Sequence, residues 1–231
     1  SRTRETIEIV RQILAREEPL TFRGDSYEIP AESGSGLGKP LKLMFSPLRK
    51  VVPIYLAAIG PKNVALAAEI ADGWLPIFYS PFHSRVFSES LETGFAKRAR
   101  DRERLPFDVA PTVTVALGTD RKACIDSVKP GLALYIGGMG ARNQNFYNEL
   151  ARRYGYEKEA ATVQDLYLSG KKMEAIAAVP DKLVDEVALC GPKERIAERA
   201  RAWKEAGVST LICNCGDAAA MKLMAEIRAT L

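Results

Sequence analysis

The stretch AAIGPKNVALAAEIADGW, residues 57–74, decides the fold class. An apolar run stops at Gly60-Pro61, a helical pattern of apolar residues begins at once, and Asp72-Gly73 end that pattern. The same order of Gly-Pro-Lys, helix, glycine and strand returns from residue 191 onward. Strands that alternate with helices in this way predict a parallel α/β fold, either a barrel or a doubly wound sheet.

Four buried strands are predicted: KVVPIYLAAI (50–59), DGWLPIFYSP (72–81), FDVAPTVTVALG (107–118) and VSTLICNCG (208–216). A closed (β/α)8 barrel needs eight. We therefore expect only the C-terminal half of a TIM-type barrel, about strands five to eight, as one partial domain over residues 1–231. Its predicted parts are a helix with a short strand and loop excursion (1–50), barrel βα units (51–134 and 185–231) and a helical insertion (135–184).

Three smaller elements complete the prediction. Two short strands flank Gly24-Asp25, a Gly/Ser loop covers residues 31–40, and a helix with mixed charge covers residues 82–104. The chain opens inside a helical pattern without a preceding strand, which favours the latter part of a longer protein.

The composition is that of an ordinary globular protein, with 47% hydrophobic and 27% charged residues and a formal net charge of +4. No apolar run approaches the roughly 20 residues that span a bilayer, and no basic stripe with interleaved aromatics is present. We expect neither a membrane nor a nucleic-acid partner. The four cysteines lack metal-site spacing, and Cys213 with Cys215 makes at most half a zinc site. Reduced thiols, no metal and a cytoplasmic location are predicted.

The turn at Gly60 is the first candidate site. A helix N-terminus offers unpaired N–H groups and the positive end of the helix dipole, so it is suited to phosphate. Gly60 removes a side chain where a ligand would approach, and Lys62 adds a positive charge. The turn also follows the carboxyl end of a strand, where α/β folds bind ligands. The alternative, a Gly-Pro pair that only ends a strand and starts a helix, stays open.

Four side chains are candidates for substrate contact. Tyr79 follows the second predicted strand, and Thr112 shares a face of the third strand with Thr114. Met139 and Arg142 lie at the head of the predicted insertion, where a lid would bring an arginine to an anionic group. The structural alternatives are core packing for Tyr79, a satisfied interior hydroxyl for Thr112 and a flexible connector for the other two.

Three neighbouring side chains have weaker functional claims. Trp74 and Phe78 lie on or just after the second predicted strand and either line a flat-ring pocket or belong to the core. His83 is the only histidine, and a solvated loop position is favoured over a role as proton donor.

The segments VPIYLAAIGPKNVALAAEIADGWLPIFYSP, LALYIGGMGARNQNFYNELARRYGY and CGPKERIAERARAWKEAGVSTLI closely resemble the luciferase-like monooxygenase superfamily, in its actinobacterial F420-dependent branch. The resemblance implies a TIM-type barrel with an insertion after strand seven. It also implies hydride transfer to or from a small organic substrate at C5 of the deazaflavin coenzyme F420. The residues that would approach the phosphate-bearing tail are Ala58, Ile59, Gly60, Pro61 and Lys62.

The chain also departs from the family pattern. The family's first four strands, which carry the residues around the deazaflavin ring, have no counterpart here, so no catalytic acid or base is assigned. An FMN-dependent monooxygenase of the same superfamily remains an alternative, as does a non-catalytic half-barrel or assembly subunit. Four parallel strands would leave open edges, so we expect a homo-oligomer or a complementary N-terminal chain.

Overall fold

The computed structural model describes residues 2–31, 38, 42–49, 51–99 and 106–230. The predicted loop at 31–40 therefore lies almost entirely outside the described residues, as does the end of the predicted helix 82–104. In the described part of that second range the chain forms a short 3₁₀ segment (Pro81–Phe87) and one helix rather than a single continuous helix.

Eight short strands are present in the described residues. They are β1 (Phe22–Arg23), β2 (Glu28–Ile29), β3 (Tyr55–Ala57), β4 (Gly73–Leu75), β5 (Asp108–Val109), β6 (Thr112–Leu117), β7 (Ala188–Gly191) and β8 (Ile212–Cys215). The first two pair with each other in antiparallel fashion, as the sequence predicts. The third predicted strand is divided into β5 and β6 at Pro111, which has no amide hydrogen to donate to a sheet.

Ten α-helices connect and flank these strands in the described residues. They are α1 (Arg2–Ala15), α2 (Pro61–Ile70), α3 (Ser88–Phe95), α4 (Arg121–Gly138), α5 (Phe146–Arg153), α6 (Glu157–Leu168), α7 (Lys172–Ala178), α8 (Asp181–Val187), α9 (Lys193–Glu205) and α10 (Ala218–Arg228). Helix α4 begins after Asp120, whose carboxylate accepts hydrogen bonds from two amides of the first turn. It continues unbroken to Gly138, so the predicted start of the insertion at residue 135 falls inside a helix.

The larger strands are all parallel. Strand β4 pairs with β3 on one side and β5 on the other, while β6 pairs with β7 and β8. A bridge between Ile77 and Thr112 joins the two groups. The predicted parallel α/β fold is therefore confirmed. Strand β7 was not predicted, because it follows helix α8 directly and no turn residue marks its start.

The two faces of this sheet differ in burial. Trp74, Val113 and Leu189 point to one face and are almost fully buried. On the opposite face Tyr55 is 37% exposed and Ile212 is 41% exposed. The prediction of buried strands is thus wrong for one face of β3 and β8, because no described element covers that face. We call it the open face, defined by Tyr55, Ala57, Thr112, Ile212 and Asn214.

Replacement by alanine should change the free energy of unfolding in opposite directions at two helical glycines, Gly94 and Gly131. A Cβ at Gly94 in α3 would lie 2.2 Å from the carbonyl oxygen of Ala65 in α2, whereas a Cβ at Gly131 in α4 would meet nothing within 4 Å. We expect Gly94→Ala to lower the free energy of unfolding by about 1–3 kcal/mol through overpacking. Gly131→Ala should raise it by up to about 1 kcal/mol through helix propensity. Urea unfolding measures the free energy of unfolding of both variants. A change in the same direction for both would contradict the close packing of α2 on α3.

No helix among the described residues is both long enough and apolar enough to cross a membrane.

Candidate functional site

The turn after β3 places backbone donors at the start of α2. Gly60 is the N-cap residue and Pro61 is the first helical residue, as predicted. The carbonyl oxygen of Gly60 accepts hydrogen bonds from the amides of Asn63 and Val64 at 3.0 Å. Within the part of the chain that the structure describes, no hydrogen bond is found from the amides of Ile59, Gly60 or Lys62. Three N–H groups are thus available for an anion.

Gly60 does not need to be glycine for its backbone conformation, since its φ of −69° suits any residue. Packing explains why glycine is suited to this position, because a Cβ there would come within 3.3 Å of the ring of Phe146 from α5. The aromatic ring lies against the turn and is itself 63% exposed. A side chain from the predicted insertion therefore borders the turn.

Lys62 supplies charge beside these amides. Its side chain is exposed and makes no ion pair with another described residue. It lines a groove of about 730 Å³ between α2 and α3, together with Arg153, Ser90 and Thr93. A lysine at the start of a helix, without an ion-pair partner among the described residues, suits a phosphate group bound at that helix N-terminus.

Ala58 contributes differently from the other predicted residues of the turn. Its side chain is buried, and its carbonyl oxygen accepts a 2.9 Å hydrogen bond from Nε1 of the fully buried Trp74. Trp74 therefore belongs to the core and fixes the backbone immediately before the turn.

Tyr79 takes the structural alternative, core packing, in this structure. Its ring is 4% exposed, is stacked on Phe87 and packs edge-on against Trp74. Its hydroxyl donates to the carbonyl oxygen of Ala206 at 3.2 Å. Phe78 precedes it with a φ of +53°, and this left-handed residue lies between strand β4 and the buried Tyr79.

Thr112 lies where the prediction requires it, exposed on the open face opposite Ile212. Thr114 lies two residues further along the same face, opposite Asn214. Thr114 and Asn214, but not Thr112, line a groove of about 560 Å³ that follows the carboxyl ends of β6 and β8. Hydroxyl and amide groups in such a groove can hold a polar ligand, so Thr114 is the better placed candidate, while substrate contact by Thr112, the first residue of β6, stays a prediction.

The predicted lid at residues 137–140 takes a different form. Gly137 and Gly138 belong to α4, and a Cβ on either would lie 2.5 Å from the side chain of Tyr167 in α6. These glycines allow two helices to approach closely. Met139 follows them at the helix end and is 48% exposed. Arg142 forms an ion pair with Asp165 of α6, so its charge is already neutralised rather than presented to an anionic substrate.

Three rings form an aromatic cluster that the sequence does not reveal. Phe78 meets Tyr135 of α4 and Tyr147 of α5 edge-to-face, and the two tyrosines meet each other in the same way. We call Phe78, Tyr135 and Tyr147 the aromatic cluster. All three side chains are partly exposed. The cluster stands near the carboxyl end of β4, beside the turn that Phe146 borders.

Comparison with known proteins agrees with this architecture. A family model described as luciferase-like monooxygenase matches residues 1–210. The chain belongs to the luciferase-like monooxygenase family. A Mycobacterium tuberculosis protein named "Putative coenzyme F420-dependent oxidoreductase" is 44% identical over 229 residues, which are 98% of this chain and 66% of that protein.

Solved structures of the luciferase-like fold include two similar chains. The coenzyme F420 dependent tetrahydromethanopterin reductase of Methanopyrus kandleri gives a TM-score of 0.70 at 21% identity, over 96% of this chain and 60% of that one. An F420-dependent secondary alcohol dehydrogenase, in complex with an F420-acetone adduct, gives 0.67 at 17% identity, over 96% and 59%. The present luciferase-like chain thus spans slightly less than two thirds of each of these proteins.

Two networks of charged side chains were not predicted from the sequence. His83 lies 3.2 Å from Glu186, which accepts a hydrogen bond from the hydroxyl of Tyr156, and the imidazole stacks on Tyr154. His83 is therefore held by neighbours rather than left in a solvated loop. Both contacts of His83 join residues more than 70 positions apart, so no local pattern could have indicated them.

The second network surrounds Asp185 at the end of α8. Its carboxylate lies 2.6 and 2.8 Å from Arg195, 3.3 Å from Arg121 and 3.5 Å from Arg199. Burial lowers the pKa of Arg199, the nearby arginines lower it further, and Asp185 acts in the opposite direction. One buried carboxylate thus neutralises part of a three-arginine cluster.

A third cluster lies at the amino ends of the strands. The carboxylate of Asp108 accepts hydrogen bonds from Ser209 at 2.6 Å, Tyr55 at 2.7 Å and Thr210 at 2.8 Å. Because ligands of parallel α/β folds bind at the opposite ends of the strands, we assign this cluster to stability. Burial raises the pKa of Asp108, but the three hydrogen bonds lower it more, so the net pKa lies below the ordinary value.

A pH dependence follows from this lowered pKa. An aspartate whose folded-state pKa lies below its unfolded value stabilises the fold above about pH 4, and the contribution is lost as pH falls through the folded pKa. We expect Asp108→Asn to reduce the free energy of unfolding at pH 7 and to reduce it less at pH 3. Ser209→Ala should show the same trend with a smaller size. Urea unfolding at both pH values checks this, and an equal loss at both would contradict it.

The four cysteines are all free thiols, and within the described ranges no group of three or more potential ligands is arranged to hold a metal ion.

Proposed function

We propose that this chain is part of an F420-dependent oxidoreductase, which transfers hydride between the deazaflavin cofactor and a small organic substrate. The observation that carries the proposal is the turn after β3, where no described residue pairs with the amides of Ile59, Gly60 and Lys62 and where Lys62 adds an exposed ammonium without a described ion-pair partner. The name of the mycobacterial relative, at 44% identity, supports F420 over other phosphate-bearing cofactors.

The residues of the turn have distinct proposed roles. The three amides and Lys62 bind the phosphate of the cofactor tail, while Pro61 presets the first helical turn and Ala58 holds the backbone through Trp74. When bound, F420 supplies the carbon that accepts or donates hydride. The described residues at this turn position the cofactor and contribute no proton donor, so we assign no catalytic acid or base in this chain.

We further propose that the sheet is half of a barrel, corresponding to strands five to eight of its relatives. The open face supports this, because Tyr55 and Ile212 expose apolar surface that a closed barrel would bury. An additional strand-bearing segment, or a second copy of the chain, would cover it. A non-catalytic half-barrel is the alternative from another class. The cytoplasmic location stays a prediction.

The proposal is tested by titrating the chain with F420 and, separately, with FMN, while the fluorescence of each cofactor is recorded. We expect saturable F420 binding at one site per chain and weaker FMN binding. Preferential FMN binding would favour a monooxygenase of the same family. If neither cofactor binds, the oxidoreductase assignment of this chain is wrong and the non-catalytic alternative stands.

A further inference from the structure

We propose that the aromatic cluster of Phe78, Tyr135 and Tyr147 selects the substrate, and that it takes a planar, apolar ring system bearing a hydrogen-bond acceptor such as a carbonyl oxygen. The inference rests on the proposed function, because it names the substrate class of the same site. It concerns binding only, so it adds no chemical step to the reaction.

The geometry of the cluster favours a flat apolar ligand. Ring centroids are 5.3 Å apart for Phe78 and Tyr135, 6.2 Å for Phe78 and Tyr147, and 4.8 Å for the two tyrosines, with interplanar angles of 73–82°. Edge-to-face pairs leave ring faces and edges available to a further aromatic ring. Because the three side chains are partly exposed, such a ring can reach them from solvent.

The backbone at Phe78 is held in a conformation that a bulky residue rarely adopts. Its φ is +53°, and strain of this kind persists only where the surroundings enforce it. The hydroxyl of Tyr154 donates to the Phe78 carbonyl oxygen at 3.0 Å and accepts from the Ser80 amide at 3.2 Å. Tyr154, the C-cap residue of α5, therefore holds the backbone at Phe78 against the insertion.

The inner side of the cluster offers no room for a ligand. A void of only about 10 Å³ lies beneath Phe78 and is lined by Leu132, Ile136 and Leu150. A space of that size is at the lower limit for one water molecule. A ligand must therefore contact the outer, partly exposed side of the rings.

The two tyrosine hydroxyls supply polar recognition. Neither the Tyr135 nor the Tyr147 hydroxyl hydrogen-bonds to another residue in the part of the chain that is described. Burial, followed by the proximity of Tyr135, raises the pKa of Tyr147, so its phenol remains protonated at neutral pH. A protonated phenol donates a hydrogen bond, and a carbonyl oxygen is a suitable acceptor.

The cluster also lies beside the proposed cofactor turn. Phe146 precedes Tyr147 in α5, and its ring packs on Gly60. The same helix thus borders the turn with one aromatic residue and contributes the next one to the cluster. A substrate bound there would lie at the carboxyl ends of the strands, on the side where the cofactor is proposed to bind.

Isothermal titration calorimetry of the full 231-residue chain tests the inference with two probes. Chromone is a planar bicyclic ketone, and 2-adamantanone is a ketone of similar size that is not planar. We expect chromone to bind at least about 10-fold more tightly than 2-adamantanone, since only a flat ring can stack on the cluster. Phe78→Leu should weaken chromone binding about 10-fold, and Tyr135→Phe and Tyr147→Phe about 3- to 10-fold each.

Matched controls separate this effect from general damage. Phe95→Leu removes an exposed ring from a similar edge-to-face pair, and Tyr27→Phe removes an exposed hydroxyl; neither should change chromone binding. If Phe78→Leu does not fold, the two conservative tyrosine variants still decide. Equal affinity for the two probes, or unchanged chromone affinity in all folded cluster variants, overturns the inference. Lys62→Glu should abolish F420 binding and leave chromone binding intact, so failure of the proposed function is recognised separately.

Discussion

Lys62→Glu is expected to weaken F420 binding by about 100-fold or more. A hydrogen bond between an ammonium and a phosphate contributes about 1.5–3 kcal/mol, and the introduced carboxylate adds repulsion toward the same anion. A 100-fold change corresponds to about 2.7 kcal/mol, within reach of those two effects together. Cofactor fluorescence titration measures the change directly.

The matched control is Lys158→Glu, which makes the same charge reversal on an exposed lysine in the first turn of α6. It should leave F420 affinity within about twofold, because Lys158 is not part of the turn and the effect of an exposed charge is screened by salt. Lys62→Ala should fall between the two. If Lys62→Glu and Lys158→Glu bind F420 equally well, Lys62 does not contact the cofactor.

Asp185→Asn is expected to cause the largest loss of stability of any single change considered. Asp185 is 8% exposed and faces three arginines, and removing its charge leaves Arg121, Arg195 and Arg199 in mutual repulsion. Breaking a buried ion pair by removing one partner costs about 3–5 kcal/mol. Urea unfolding at pH 7 measures the free energy of unfolding.

Asp165→Asn provides the comparison for that loss. Asp165 also pairs with an arginine, Arg142, but both side chains are more than half exposed. Exposed pairs contribute about 0–1 kcal/mol, so this variant should unfold nearly as the parent does. Equal, small losses for the two variants would mean that the Asp185 network is solvated and does not hold α8 against α9.

The turn at Gly60-Pro61 and the start of helix α2 were predicted correctly from the local sequence. Gly60-Pro61 marks the change from strand to helix because proline presets the helical φ at the first position and has no amide to lose. Asp120 likewise indicates the start of α4, because aspartate is a preferred N-cap residue. The parallel arrangement followed from the alternation of strands and helices, which is a property of order along the chain.

Features that depend on distant residues were not predictable. The open face arises because no described element packs on that side of β3 and β8. The apolar composition of a strand does not tell whether another element covers it. Arg142 was expected to be free because its partner Asp165 is 23 positions away, on another helix. Tyr79 was expected to face ligand because the left-handed backbone at Phe78 cannot be read from its sequence.

The most direct test of the account is a crystal structure of this chain grown with F420. The account predicts density for the cofactor phosphate within hydrogen-bonding distance of the Ile59, Gly60 and Lys62 amide nitrogens, with the Lys62 ammonium turned toward it. A phosphate bound elsewhere on the chain, with these three amides left in contact with water alone, would contradict the assignment of the turn as the cofactor site.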